Sequence, residues 1–167
     1  ELKRAKVKGI VLDIRDNPGG LLEEVIHVAD FFVPKGPVVH MEYKNKDRIT
    51  YSSIQDPVDI PLAVLVNGGS ASASEILAGA VQDTKAGTVI GIKTFGKGTV
   101  QIVQELPGGS GFKLTVAKYL TPKGTWIDKK GIVPDITVEN PDHKAVLPDF
   151  APMIEDRVYN IDDKGRN

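Results

Sequence analysis

Twice along the chain a short apolar run rich in β-branched residues is cut by a turn that opens with Asn and holds two glycines, and is followed at once by a helix-forming stretch. That repeated strand, turn, helix order leaves few folds open. The first unit runs from Val7 to Ile14 (Val-Lys-Gly-Ile-Val-Leu-Asp-Ile), through Asn17-Pro18-Gly19-Gly20, into residues 21 to 32. Leu22, Val25, Ile26, Ala29 and Phe32 recur there mostly at three- and four-residue intervals, the spacing of one apolar stripe on a helix. The second unit runs from Pro61 to Val66, through Asn67-Gly68-Gly69, into a helix over Ser72 to Asp83. Both apolar runs suit strands covered on both faces.

Between and after these units the pattern is β. Residues 37 to 52 read as two strands around an Asn45-Lys46-Asp47 turn, and Pro57 to Pro61 as a link. Further strands are expected at Thr88 to Ile92, Thr99 to Leu106, Phe112 to Leu120 and Ile132 to Val138, with turns at Gly108-Gly109 and Pro122-Lys123-Gly124. The fold class is therefore α/β with an antiparallel β section late in the sequence. With 41% hydrophobic residues in 167, one buried core is expected, and residues 1–140 read as a single domain. Residues 141–167 carry three Pro and many charges with weak periodicity, which predicts a polar tail or a truncated element. The strand pattern opens by about residue 7 with no leader or initiating Met, as expected of a piece excised from a longer protein.

Charge and cysteine content exclude some functions. The 21 basic and 22 acidic side chains leave a net charge of −1, and no Lys/Arg run forms a stripe for phosphate backbones or anionic lipid, so nucleic acid is not an expected partner. No apolar run approaches the length of a membrane span. The absence of Cys excludes disulfides, thiolate catalysis and Cys-ligated zinc, and leaves the compartment open.

The chemistry concentrates at Asn67-Gly68-Gly69-Ser70-Ala71-Ser72-Ala73-Ser74-Glu75. Small residues there let a ligand backbone approach, and the first-turn N–H groups of the following helix can stabilise an oxyanion. Ser72-Ala73-Ser74-Glu75 fits two readings: a capping box, with Ser72 as a mere cap, or a nucleophile at a helix start. No Gly-x-Ser-x-Gly elbow is present. His27 lies off its helix's apolar stripe, His40 lies in a strand and His143 in the tail, so none is a natural base for a triad. A nucleophilic Ser72 then needs another base, and a desolvated Lys is the next candidate. Lys97, within Thr94-Phe95-Gly96-Lys97-Gly98-Thr99, could serve, or could sit in an ordinary exposed turn. Gly91 to Lys97 also matches the opening of a phosphate-binding loop, but Gly98 stands where Ser or Thr must ligate magnesium and no helix follows, so no nucleotide is expected.

Three ordered segments, Arg15-Asp16-Asn17-Pro18-Gly19-Gly20, Asn67 to Glu75 and Phe95-Gly96-Lys97-Gly98-Thr99-Val100-Gln101, together resemble the C-terminal processing peptidases, or tail-specific proteases. Leu120-Thr121-Pro122-Lys123-Gly124 and Lys130-Gly131-Ile132-Val133-Pro134-Asp135 extend the resemblance, which covers about residues 7 to 139. It implies a serine endopeptidase that cleaves proteins near their C-termini through an acyl-enzyme, with Ser72 as nucleophile and Lys97 as base. It further implies Gln101 as support for the lysine, the N–H groups of Gly19 and Ala73 as oxyanion donors, and supporting roles for Asp83 and Glu75. The implied fold is a crotonase-like core of repeated ββα units, with no cofactor. The implied partners are proteins or peptides with accessible C-termini, and the implied setting is extracytoplasmic, as in a periplasm, cell envelope or lumen. Members usually carry a PDZ domain, for which this chain has no spare segment, so it is expected upstream or absent. Oligomerisation through other segments stays possible. A non-catalytic relative that binds peptides or scaffolds a partner on the same fold is the alternative.

Overall fold

In the computed structural model, residues 4–45, 47–106 and 110–139 are described. The described residues form two four-stranded sheets and two helices, in the order β1 (Ile10–Asp13), α1 (Leu22–Ala29), β2 (Gly36–Tyr43), β3 (Arg48–Ser53), β4 (Leu62–Val66), α2 (Ala73–Thr84), β5 (Thr88–Gly91), β6 (Thr99–Glu105), β7 (Gly111–Leu120) and β8 (Ile136–Thr137). One sheet is parallel, ordered β1-β4-β5-β8; the other is antiparallel, ordered β3-β2-β7-β6. The mixed α/β class is as expected. The antiparallel sheet is not only a late section, however, because the early hairpin β2-β3 joins β6 and β7 along the β2-β7 edge.

The core lies where α1 and α2 pack on each other and on the sheets. Val25 and Ala29 of α1 meet Ile76, Leu77 and Val81 of α2 and Val64 and Val66 of β4 in one buried cluster. Removing each such side chain from water contributes roughly 1.5–3 kcal/mol for the larger aliphatics. The predicted stripe on α1 is realised, with Val25 and Ala29 buried and Leu22 and Ile26 packed beside them. Ala73 to Val81 of α2 are all buried, so this helix runs through the interior and has no solvated face along that stretch. It stops at Lys85, which takes a left-handed conformation (φ 60°).

Two strand expectations are corrected. β4 is a central strand with Leu62, Val64 and Val66 buried, but β1 is an edge strand, and Val11 is 68% exposed, so β1 is not covered on both faces among the described residues. The expected strand over Ile132 to Val138 shortens to Ile136–Thr137, because Ile132 is engaged by Thr94 and Pro134 has no N–H to give a ladder. In β2 the register shifts between Pro37 and Val39, where a proline in a strand is accommodated by a bulge. The β2-β3 turn falls as predicted, although Lys46 lies outside the described residues, as do the Gly108-Gly109 turn and the tail 141–167. At Pro122-Lys123-Gly124 the Gly124 N–H closes a turn on the Thr121 carbonyl (2.7 Å). Among the described residues no helix is long and apolar enough to cross a membrane.

Candidate active site

The loops that follow β1, β4 and β5 meet beyond the C-terminal ends of those parallel strands, the end at which open α/β sheets carry ligands. Side chains from the middle loop fasten all three. Ser70, fully buried, donates its hydroxyl to the Ile14 carbonyl (2.7 Å) and accepts the Asn67 N–H (3.0 Å), while its own carbonyl takes the Phe95 N–H (3.0 Å). Asn67 accepts the N–H groups of Asp16 and Gly69 on Oδ1 and donates to the Asp16 carboxylate, each at 2.9 Å. The Asn17 carbonyl receives the Ala71 N–H and the Ser74 hydroxyl, both at 3.0 Å. These bonds surround Asp16, which takes φ 55°, a value uncommon for a non-glycine residue.

Ser72, half-buried, sits at the N-cap of α2 with φ 55° and ψ −116°. That combination lies outside the ordinary basins and costs of the order of 1–3 kcal/mol, the kind of strain that strand-to-helix nucleophile turns hold. The capping-box alternative is also realised, since Ser72 and Glu75 stand in that arrangement. The Ser72 main chain is bonded at both ends: its N–H donates to Glu75 Oε2 (2.9 Å), and its carbonyl accepts the N–H groups of Glu75 (2.9 Å) and Ile76 (3.0 Å).

Lys97 is not in an ordinary exposed turn. It is half-buried, and the backbone around it lies against residues 128–131: the Lys129 N–H reaches the Gly96 carbonyl (2.7 Å), and Asp128 Oδ1 accepts the Gly98 N–H (3.1 Å). A Cβ at Gly98 would collide with the Asp128 backbone, so the second glycine of Gly-Lys-Gly is required by close approach. The Lys97 N–H donates to Glu75 Oε2 at 2.8 Å, the same oxygen that accepts the Ser72 N–H. The two backbone nitrogens are therefore within two hydrogen-bond lengths of each other. Burial pushes the Lys97 pKa below the ordinary lysine value; the charge of Lys113 pushes the same way, and the Glu75 carboxylate opposes both.

Gly19 (φ 97°) stands directly against this turn. A Cβ there would lie 2.6 Å from the Ala71 carbonyl oxygen, 2.7 Å from the Ala73 nitrogen and 3.0 Å from the Ser72 Cβ. Its N–H donates to Asn17 Oδ1 (2.9 Å) in this conformation. A cleft of about 330 Å³ opens beside it, lined by Leu12, Asn17, Gly19, Val25, Ala73 and Leu77 among others. A larger hollow of about 560 Å³ lies on the antiparallel sheet among Tyr43, Ile49 and Leu114, away from Ser72 and Lys97. The smaller cleft is the one that adjoins the Ser72 turn, since Gly19, Ala73 and Ser74 line it.

The remaining predicted residues lie further out. Gln101 is exposed on β6 and donates to Thr115 Oγ1 (3.3 Å). Asp83 accepts the Lys123 N–H (2.9 Å), tying the Thr121 to Gly124 turn to α2. His40 bonds Thr50 Oγ1 (2.7 Å) and the Pro122 carbonyl (3.1 Å) across the antiparallel sheet, His27 is exposed, and His143 lies outside the described residues. The Gly91 to Lys97 segment leads into strand β6 and not into a helix. Among the described residues no three His, Asp or Glu side chains gather as a metal cluster. Sequence reasoning passed over Asn67 and Asn17 as organisers, and their local signal was an Asn opening each glycine-containing turn, Asn17-Pro18-Gly19-Gly20 and Asn67-Gly68-Gly69.

The chain is similar to known proteins along most of its length. The model of peptidase family S41 matches residues 1–138. Carboxy-terminal processing protease CtpA of Bacillus subtilis (strain 168) is 44% identical over 171 residues, taking in 99% of this chain and 35% of that protein. The photosystem II D1 C-terminal processing protease superposes with a TM-score of 0.78 at 45% identity, over 83% of this chain and 36% of that one. Mature CPAF shares the fold, with a TM-score of 0.68 at 13% identity over 78% of this chain and 39% of that one. The chain spans about a third of the length of the curated relatives it matches.

Proposed function

Because the chain belongs to peptidase family S41 and aligns along nearly its whole length with a carboxy-terminal processing protease, we propose that it carries the serine-peptidase core of such an enzyme, with Ser72 as nucleophile and Lys97 as general base. The observation that carries this reading is the strained turn at Ser72, whose N–H shares one Glu75 oxygen with the N–H of a lysine that burial makes less basic.

Neutral Lys97 takes the proton from the Ser72 hydroxyl as Oγ attacks the scissile carbonyl. The tetrahedral oxyanion is met by the N–H groups of Gly19 and Ala73, and for this the Gly19 N–H exchanges Asn17 Oδ1 for the substrate oxygen. The C–N bond then breaks, the Lys97 ammonium returns the proton to the leaving amine, and the acyl group stays on Ser72 Oγ. Water, deprotonated by the same lysine, releases the new C-terminus and restores the hydroxyl. Gln101 is assigned to support the amine, which requires its amide to leave Thr115. The substrates are proteins or peptides with accessible C-termini. Residues 1–140 form the catalytic core, with the two strand-turn-helix units as part of a crotonase-like array of ββα units, and the setting is extracytoplasmic.

Hydrolysis of a peptide with a free C-terminus by the intact protein, compared with Ser72→Ala and Lys97→Ala, tests the assignment. Each variant should lose about 10³-fold or more in kcat while remaining folded. Near-parental rates in either would remove that residue from its role. A parent that binds the peptide without cleaving it would instead favour a non-catalytic scaffold.

A further inference from the structure

Glu75 does more than a helix cap requires. It is fully buried, and four donors converge on its carboxylate: the Ser72 N–H (2.9 Å) and the Lys97 N–H (2.8 Å) on Oε2, and the Thr94 hydroxyl (2.6 Å) and the Gly96 N–H (2.7 Å) on Oε1. A capping box accounts for the first of these alone. The other three come from residues 94–97, which belong to a different loop, and together they use about all the lone-pair positions a carboxylate offers. An ionised carboxylate in the interior is costly unless its oxygens are fully engaged, so this one is stable only while the two loops stay in register. The Thr94 hydroxyl extends the arrangement by accepting the Ile132 N–H (2.7 Å), which fixes the second loop to residues behind it.

We propose that Glu75 is a positioning residue that locks the Lys97 turn onto the Ser72 turn, so that base and nucleophile are held as one rigid unit. This rests on the Ser72 and Lys97 assignment above. The Glu75 carboxylate acts through the two backbones and, as a negative charge bonded to the amine's own loop, through the protonation of Lys97.

Two variants separate these actions. In Glu75→Gln the single amide oxygen cannot accept four donors, and the charge is gone. In Glu75→Asp the charge remains but is withdrawn by one methylene. The measurements are kcat and KM against pH, with thermal unfolding as the fold control, on the intact protein. Both folded variants should lose about ten- to a hundredfold in kcat with KM unchanged, as expected when reacting groups shift by a fraction of an ångström to 1 Å. The rising limb of the pH profile should move to lower pH in Glu75→Gln, where nothing opposes the desolvation of Lys97, and stay in place in Glu75→Asp. If Glu75→Gln does not fold, the kcat loss in Glu75→Asp decides alone. Parental kcat in the folded variants overturns the proposal. So does activity lost only in proportion to unfolded protein with the limb unmoved, and so does a failure of both variants to fold, which would make Glu75 a folding residue and nothing more. Collapse of the dyad assignment shows separately, as parental rates in Ser72→Ala or Lys97→Ala with Glu75 intact.

Discussion

The parallel and antiparallel halves of the molecule are held together in different ways. At the ends of β1, β4 and β5 the loops are knotted by buried side chains that bond to distant main chain, Ser70 to Ile14, Asn67 to Asp16 and Glu75 to residues 94–97. The sheet β3-β2-β7-β6 is held by its ladders and by solvent-exposed ion pairs such as Arg48 with Glu42 (2.8 Å), and it leaves Ile49, Ile102, Phe112 and Leu114 each 42–46% exposed. Exposed pairs of that kind contribute little. A backbone bonded from several sides can sustain a strained residue, whereas a ladder alone cannot. Ser72, at φ 55° and ψ −116°, lies in the first half.

The contrast breaks most directly at Gly19. An added Cβ would press on the Ala71 carbonyl and the Ala73 nitrogen, both backbone atoms in a region with no slack, and would do so at φ 97°. If Gly19 and Ala73 are the oxyanion donors, as proposed, Gly19→Ala should lower kcat about a hundredfold by displacing them. Activity close to the parent's would mean that the loops yield, and the two halves would not differ in rigidity after all.

Stability offers the next largest difference. Val64 on β4 is fully buried, and Val64→Ala should cost about 2 kcal/mol or more in transfer and cavity terms. Ile102 on β6 is 44% exposed, and Ile102→Ala should stay near 0.5 kcal/mol. Denaturant midpoints measure both, and equal costs would show that the antiparallel face is packed in solution as tightly as the core. Gln101 then tests whether that sheet reaches the chemistry at all. If its amide turns from Thr115 to the Lys97 amine, Gln101→Ala should lose about tenfold in kcat, the size of one hydrogen bond to a charged or polarised partner. An unchanged kcat confines the site to the loops of the parallel half.

What the sequence disclosed follows the same division. The 22, 25, 26, 29 stripe placed α1, and the Asn45 to Asp47 turn placed the β2-β3 hairpin, because periodicity and turn chemistry are local. The union of that hairpin with β6 and β7, and the edge position of β1, depend on which distant strands pair, and no local pattern encodes that. At the site, Ser72 and Lys97 were legible as residue types in special turns. The pairing of Ser72-x-x-Glu75 disclosed one of the four Glu75 bonds, the only one made within its own helix start. The other three, like the hold of Asn67 on Asp16 across 51 residues, exist only after folding.

The smallest expected effect is an electrostatic one across the two halves. Lys113, on β7 opposite Val103, is a positive charge that helps depress the Lys97 pKa, second to burial and against the pull of Glu75. A base must be neutral to accept a proton, so activity should rise with pH through the lowered Lys97 pKa and level off below the ordinary lysine range. Lys113→Gln removes one of the two depressing influences, so the Lys97 pKa rises and the limb moves to higher pH, opposite to Glu75→Gln. The same sign governs stability: between the lowered Lys97 pKa and the ordinary one the unfolded chain binds more protons, so stability rises with pH there, over a narrower window in Lys113→Gln. Because Lys113 is only half-buried, the parent's limb should also drift upward as salt screens it, and the variant's should drift less. pH-rate profiles at low and high ionic strength measure this. A limb that ignores both the substitution and the salt would leave desolvation as the one depressing influence on Lys97, opposed by Glu75, and of the antiparallel sheet only Gln101 would remain as a candidate for acting on the chemistry.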